Sequence, residues 1–258
     1  MRVLKLGQSL VSNSKAPAAF KNLYSLDFDG VDDYLDLGDS DAFSFGNGTS
    51  DSPFSCSLWY KTADVTGPPL ITKTSSGSSS NREWYIAFGT NDALYFVVYD
   101  KSKSAYMYAR TSVLTSTQNS WTHVVVTYDG DGLDAGLKLY INGELDVFSR
   151  VTSGSYIAME NTTFPLVVGA FFVFNVFLDG NVDEISLFGT ELSAAQAAQI
   201  YNEGQPTDLS GDSDLVGYWR NGDPNGTAAY PTIIDQSSNS NNGTMKNMAS
   251  GDIVTDVP

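Results

Sequence analysis

From Leu23 onward the chain is a succession of short runs of β-branched and aromatic residues, each closed by a cluster of Gly, Asn, Asp or Ser. That punctuation is the signature of a sandwich or barrel. Strands are expected over 24–28, 34–37, 54–61, 70–74, 83–88, 93–99, 105–110, 121–128, 137–141, 166–168 and 183–188. Asn142-Gly143, between Leu139-Tyr140-Ile141 and Glu144-Leu145, supplies the positive-φ pair of a two-residue hairpin. One helix is expected near residues 194–203, with Ser193 and Gln196 forming a capping box and Gly204 and Pro206 stopping it. No repeat of solenoid or propeller period is visible.

Composition narrows the class. At 258 residues, with 41% apolar and 12% aromatic residues, the chain has what a real core needs and a disordered chain lacks. Fourteen basic residues face 30 acidic ones, for a net charge of −16, which argues against nucleic acid and anionic lipid as partners. The most apolar stretch, 164–178, is interrupted by Pro165 and Asn175 and is shorter than a membrane span. It reads as a buried strand followed by an apolar loop, with no membrane insertion. A single cysteine, Cys56, and a single histidine, His123, exclude an internal disulfide and a Cys/His zinc site within one chain. The first ten residues lack the apolar core of a secretory signal, so cytoplasmic synthesis is expected, and the sequons at Asn47, Asn161, Asn225 and Asn242 carry little weight. Residues 1–22 hold Arg2, Lys5, Lys15 and Lys21 and no acid, leaving ten of the 14 basic residues for the body. They read as a basic arm that docks through Arg2 and Lys5 on an acidic neighbour, or as an edge strand with solvated lysines.

Several spaced motifs carry a family resemblance. Ser25-Leu26-Asp27-Phe28-Asp29-Gly30-Val31-Asp32-Asp33-Tyr34-Leu35 is followed by Ser57-Leu58-Trp59-Tyr60-Lys61, then by Trp121-Thr122-His123-Val124-Val125-Val126-Thr127-Tyr128. Leu137-Lys138-Leu139-Tyr140-Ile141-Asn142-Gly143, Gly180-Asn181-Val182-Asp183-Glu184-Ile185 and the helix continue the order. Together they resemble laminin-G-like domains of the concanavalin A-like lectin/glucanase superfamily. The resemblance implies an all-β, two-sheet antiparallel jelly-roll sandwich over residues 23–205. Residues 206–258 depart from it, because Leu215-Val216-Gly217-Tyr218-Trp219-Arg220 and the 234–245 segment are similar to what such domains carry ahead of their first motif. Too short to bury a core alone, they should complete the same sandwich, as in a circular permutation, or be exchanged into a neighbouring subunit.

Chemistry is sparse. A Ser-His-Asp triad would need His123, which sits in a strand pattern, and no Gly-x-Ser-x-Gly elbow exists, so a structural histidine is expected. Glucanases of the superfamily use Glu-x-Asp-x-x-Glu, and Glu144-Leu145-Asp146-Val147-Phe148-Ser149 lacks the last acid. The chain is therefore read as no enzyme. Calcium is implied by the resemblance at Asp29, Asp32 and Asp183, against the alternative that these acids cap turns. Alternation places Tyr95 and Tyr99 on one side of their strand and Tyr106, Tyr108 and Arg110 on one side of the next, a candidate glycan face with Trp59 and Trp84 as further members. The alternative packs these rings in the core. Phe171, Phe172 and Phe174 occupy a segment that related domains keep polar; left in water each forgoes about 1.5–3 kcal/mol of burial, so they form a docking surface or fold back over the core.

Domains of this kind with a basic arm and no catalytic set resemble bacteriophage virion proteins. The expected role is a structural one in a virion, as capsid decoration or tail or fibre component. Other virion proteins and further copies of the chain are its expected partners, and a cell-surface polysaccharide its ligand. The competing reading is a carbohydrate-binding module of an adhesin or a polysaccharide enzyme, with a glycoside hydrolase third.

Overall fold

The computed structural model describes residues 20–64, 67–74, 82–114, 117–221 and 230–258. Arg2 and Lys5 lie outside the described residues. Two large antiparallel sheets face each other. The first runs, in spatial order, β10 (Glu144–Leu145), β9 (Lys138–Ile141), β8 (Thr122–Tyr128), β3 (Phe54–Thr62), β15 (Asp179–Phe188), β1 (Ser25–Asp29) and β19 (Ile253–Val254). The second runs β11 (Ser149–Ser153), β7 (Ala105–Val113), β6 (Ala93–Asp100), β5 (Arg82–Phe88), β4 (Pro69–Thr74), β12 (Leu166–Val168), β2 (Tyr34–Asp36), β18 (Gly243–Lys246) and β17 (Thr232–Ile233). A small hairpin, β13 (Ala170–Phe171) with β14 (Val176–Phe177), and one helix, α1 (Ala194–Tyr201), complete the set with β16 (Leu215–Trp219).

Alternation along each strand builds the core. Phe54, Cys56, Leu58 and Tyr60 of β3 and Val124, Val126 and Tyr128 of β8 meet Trp84, Ile86 and Phe88 of β5 and Leu94, Phe96 and Val98 of β6. Each large apolar side chain removed from water here contributes about 1.5–3 kcal/mol. Phe45 stacks on Phe54 with centroids 4.1 Å apart, and the Trp84 indole N–H, buried between the sheets, donates to Phe43 O at 2.9 Å. Trp84 is therefore a core residue and no part of a glycan face.

The segment after residue 206 joins both sheets. β15 bulges between Asp183 and Ser186, so its first half pairs β1 and its second half pairs β16, both on the edge away from β3. The bulge carries Glu184 at φ 48°, and the buried Glu184 carboxylate accepts from Arg220 Nε at 3.1 Å and from the Tyr218 hydroxyl. β18 pairs β2, and β19 pairs β1. Asp256 then accepts from Lys61 Nζ at 2.5 Å and Trp121 Nε1 at 2.9 Å.

Local signals act as their chemistry requires. Asn142 (φ 49°) and Gly143 (φ 80°) turn β9 into β10, and a Cβ at Gly143 would come within 3.0 Å of Tyr201 on α1. Ser193 Oγ accepts from Gln196 N, and Gln196 Oε1 accepts from Ser193 N at 3.0 Å. The helix ends at Asn202, whose left-handed conformation (φ 44°, ψ 53°) stops it two residues ahead of Gly204. Several strands differ from the expectation, and β7 runs on to Val113 rather than ending at 110. β15 begins at Asp179 rather than 183, and β11 and the β13–β14 hairpin stand where no strand was expected. β11 reads Ser-Arg-Val-Thr-Ser and is an exposed edge strand, so it has no apolar alternation to reveal it. No helix among the described residues is long and apolar enough to cross a membrane.

Candidate functional site

The face of the second sheet turned away from the core is tyrosine-rich. Strand register sets it out in three rows. Tyr99 lies opposite Tyr106; Tyr85, Val97 and Tyr108 form the middle row; Ala87, Tyr95 and Arg110 form the third. Edge strand β11 extends each row with Ser153, Val151 and Ser149. Ring centroids lie 5.1 Å apart for Tyr95 and Tyr108, 6.2 Å for Tyr99 and Tyr106, and 6.3 Å for Tyr106 and Tyr108. Tyr85, Tyr95, Tyr106, Tyr108 and Arg110 are half-buried, and Tyr99 retains 7% exposure. The structure thus gathers all five of the residues expected on β6 and β7 on one surface.

The β13–β14 hairpin leans over the other side of this surface, tied down by Thr72 Oγ1, which donates to Ala170 O at 2.8 Å. Phe171 packs on Tyr85 at 4.8 Å and Phe174 on Phe171 at 4.8 Å. Between hairpin and sheet runs a groove of about 370 Å³ lined by Tyr85, Ala87, Tyr95, Phe171, Phe174 and Val176. Phe174 is 53% exposed, and Phe171 is buried. Phe172 turns the other way, onto Tyr34 at 4.9 Å, so the three phenylalanines do not form one patch. The Arg82 guanidinium sits among rings, 5.1 Å from the centroid of Phe174, 5.6 Å from Tyr99, 5.9 Å from Phe171 and 6.0 Å from Tyr85. Arg110 lies 4.5 Å over Phe148. Burial raises the Tyr85 hydroxyl pKa, and the neighbouring Arg82 charge partly offsets this. Tyr85 and Arg82 were not singled out from the sequence. Tyr85 shares parity with Ala87 in an expected strand, which was signal enough, whereas Arg82 falls one residue before that strand.

Trp59 belongs to the opposite side of the molecule. It projects from β3 on the outer face of the first sheet, 4.9 Å from the His123 ring and 5.7 Å from Tyr201 of α1, and is 3% exposed. His123 Nε2 lies 2.8 Å from Ser57 Oγ, while Nδ1 has no partner, so no third group completes a relay. Burial pushes the imidazole pKa down to about 3. Asp146 is likewise engaged, accepting from Ser112 N at 3.0 Å and Ser112 Oγ at 2.8 Å.

Of the acids expected around calcium, Asp29 and Asp32 converge, and Asp33 joins them, with carboxylate oxygens within 4.8 Å of one another. Asp29 Oδ1 accepts from Val31 N at 2.8 Å and Asp33 Oδ2 from Asp29 N at 3.2 Å. An all-oxygen set of this kind fits a hard cation, with two exposed carboxylates and one buried. Asp183 is not part of it. Asp29 pairs with Asp179, and four residues of strand carry Asp183 roughly 13 Å further on. There it is buried, accepting from Asn22 Nδ2 and Glu184 N at 2.8 Å each.

Residues 29–198 match the Laminin_G_3 family model, described as the concanavalin A-like lectin/glucanases superfamily. Among solved structures, a candidate carbohydrate-binding protein from Bacteroides ovatus aligns over 92% of this chain at 16% identity and a TM-score of 0.57. This chain spans 60% of that protein's length. The CBM40 module of Ruminococcus gnavus IT-sialidase, bound to α2,3-sialyllactose, aligns over 69% of this chain and 96% of its own at 12% identity and a TM-score of 0.50. No curated protein matches the chain. These likenesses reach the fold alone, and the family match spans about two thirds of the sequence. The chain belongs to the concanavalin A-like lectin/glucanases superfamily.

Proposed function

We propose that this chain is a non-enzymatic glycan-binding module whose ligand lies along the tyrosine face of the second sheet, and that a phage particle displays it as capsid decoration or tail or fibre component. The observation that carries the glycan reading is the array of half-buried, mutually packed rings of Tyr95, Tyr106 and Tyr108 on an open sheet face beside a groove. The apolar faces of a sugar ring stack on aromatic rings while phenol hydroxyls and arginine donors meet its oxygens. Two solved relatives in fold, a candidate carbohydrate-binding protein and a carbohydrate-binding module, support the same reading. The non-enzymatic reading rests on His123 lying sealed beneath Trp59 and Tyr201 and on Asp146 being committed to Ser112.

The virion placement rests on the family resemblance with a basic N-terminal stretch, and it implies other virion proteins and further copies of the chain as partners. Calcium, if bound, is held by Asp29, Asp32 and Asp33, where it would supply positive charge between three carboxylates. A glycan array tests the central claim: binding should appear for the native chain and fall about tenfold or more in Tyr106→Ala and Tyr108→Ala. Unchanged binding in both variants overturns it. Copurification with particles in fixed stoichiometry tests the virion placement, and glycan binding without copurification leaves a carbohydrate-binding module of an adhesin or enzyme.

A further inference from the structure

We infer that the tyrosine face selects an acidic saccharide, a sugar bearing a carboxylate or a sulfate ester, with Arg82 as the anion-recognising residue. This rests on the glycan reading above and names the ligand class within it. The chain as a whole repels anions, with 30 acidic residues against 14 basic ones. Yet the tyrosine face holds a guanidinium at either end, Arg82 beside the Tyr99 row and Arg110 in the Tyr95 row. The outward positions of β6 and β7 between them carry no acid.

Neither arginine forms an ion pair among the described residues. Ion pairs among the described residues use Lys61, Lys73, Lys138 and Arg220. Every acid of the chain except Asp223 lies among those residues. Arg82 Nε is buried and has no hydrogen-bond partner. The four rings around Arg82 favour its charge through their faces, and the Tyr85 hydroxyl accepts from the guanidinium, but no carboxylate among the described residues pairs with it. A buried donor left unmade is costly, and carboxylate or sulfate oxygens match the planar fork in pairs. Arg110 differs, because it is capped by Phe148 and its Nη1 donates to Thr111 O at 3.4 Å. The anion is therefore assigned to Arg82, with the sugar ring carried across Tyr99, Tyr106 and Tyr108.

Calorimetric titration of the full chain with three oligosaccharides of matched length, one neutral, one uronate-containing and one sulfated, tests this. At low salt an acidic oligosaccharide should bind at least tenfold more tightly than the neutral one, and the preference should shrink as salt is added. Comparing uronate with sulfate identifies which anion is taken. Arg82→Gln should erase the preference, bringing acidic and neutral oligosaccharides within about twofold of each other, and Arg82→Lys, which keeps charge and loses the fork, should retain only part of it. Equal binding of all three by the native chain, or an acidic preference that survives Arg82→Gln, overturns the inference and leaves the glycan reading standing. No binding by any of the three, with the array silent, overturns both.

Discussion

Each sheet turns aromatic side chains away from the shared core, and the two outer faces meet opposite fates. On the first sheet Trp59, His123, Tyr140 and Tyr218 are covered by α1 and the stretch that follows it, with Leu192, Ala197 and Leu215 closing a second apolar cluster. On the second sheet Tyr95, Tyr106 and Tyr108 remain half-open among the described residues, and the β13–β14 hairpin leans over Tyr85. The same strand pattern thus yields a buried satellite core on one side and an open tyrosine face on the other. What separates them is whether a later segment of chain lands there.

This contrast can be attacked first where burial is complete. Trp59→Ala should cost about 3–5 kcal/mol of stability, the range for deleting a buried large aromatic. Tyr108→Ala, on the open face, should cost about 1 kcal/mol or less while carrying the binding loss proposed above. Denaturant unfolding of both variants measures the gap, and equal destabilisation would mean that the second face is as closed as the first.

Acid should find the covered face next. The folded imidazole of His123 has its pKa pushed down to about 3, against about 6.5 when unfolded. Between those values the unfolded chain binds the proton and the folded one does not, so stability rises with pH across the window and is lost on acidification. The loss from this group should approach about 3 kcal/mol by pH 4, at about 1.4 kcal/mol per pH unit below 6.5. Unfolding curves at pH 7, 5.5 and 4 should show it, and His123→Leu should flatten the dependence. The tyrosine face, with no such group, should contribute nothing to that slope.

The smallest expected effect lies outside both faces. If Asp29, Asp32 and Asp33 hold calcium, a concentration equal to the dissociation constant should stabilise the fold by about 0.4 kcal/mol, and Asp32→Asn should reduce the response. A melting temperature indifferent to calcium and to chelator removes the site.

Local pattern was a good guide wherever one residue's neighbours along the chain decide its state. Alternation in 54–61, 93–99 and 121–128 anticipated β3, β6 and β8 nearly to the residue, and Asn142-Gly143 and Ser193 with Gln196 specified a turn and a cap by their own chemistry. It faltered where the partner is distant. Trp59 reads like the tyrosines of β6 and β7, but its strand belongs to the other sheet and lies under Tyr201. Asp183 and Asp29 sit on neighbouring strands, and only the register between β1 and β15 shows them to be four residues out of step. The β13–β14 hairpin read as an apolar loop because two-residue strands have no period to detect.

By itself the sequence pattern determined an all-β chain of short strands with one capped helix, a core drawn from one parity of each strand, and tyrosines on the other parity of β6 and β7. Those outcomes follow from dihedral preferences and a two-residue side-chain period, which act within a few positions. Only the tertiary structure decided which outer face α1 would cover, that Phe171 and Arg82 would meet the tyrosines, and that β16, β18 and β19 would enter both sheets. These depend on contacts between segments far apart in the chain, whose free energy belongs to the pairing of surfaces and is written in neither segment alone.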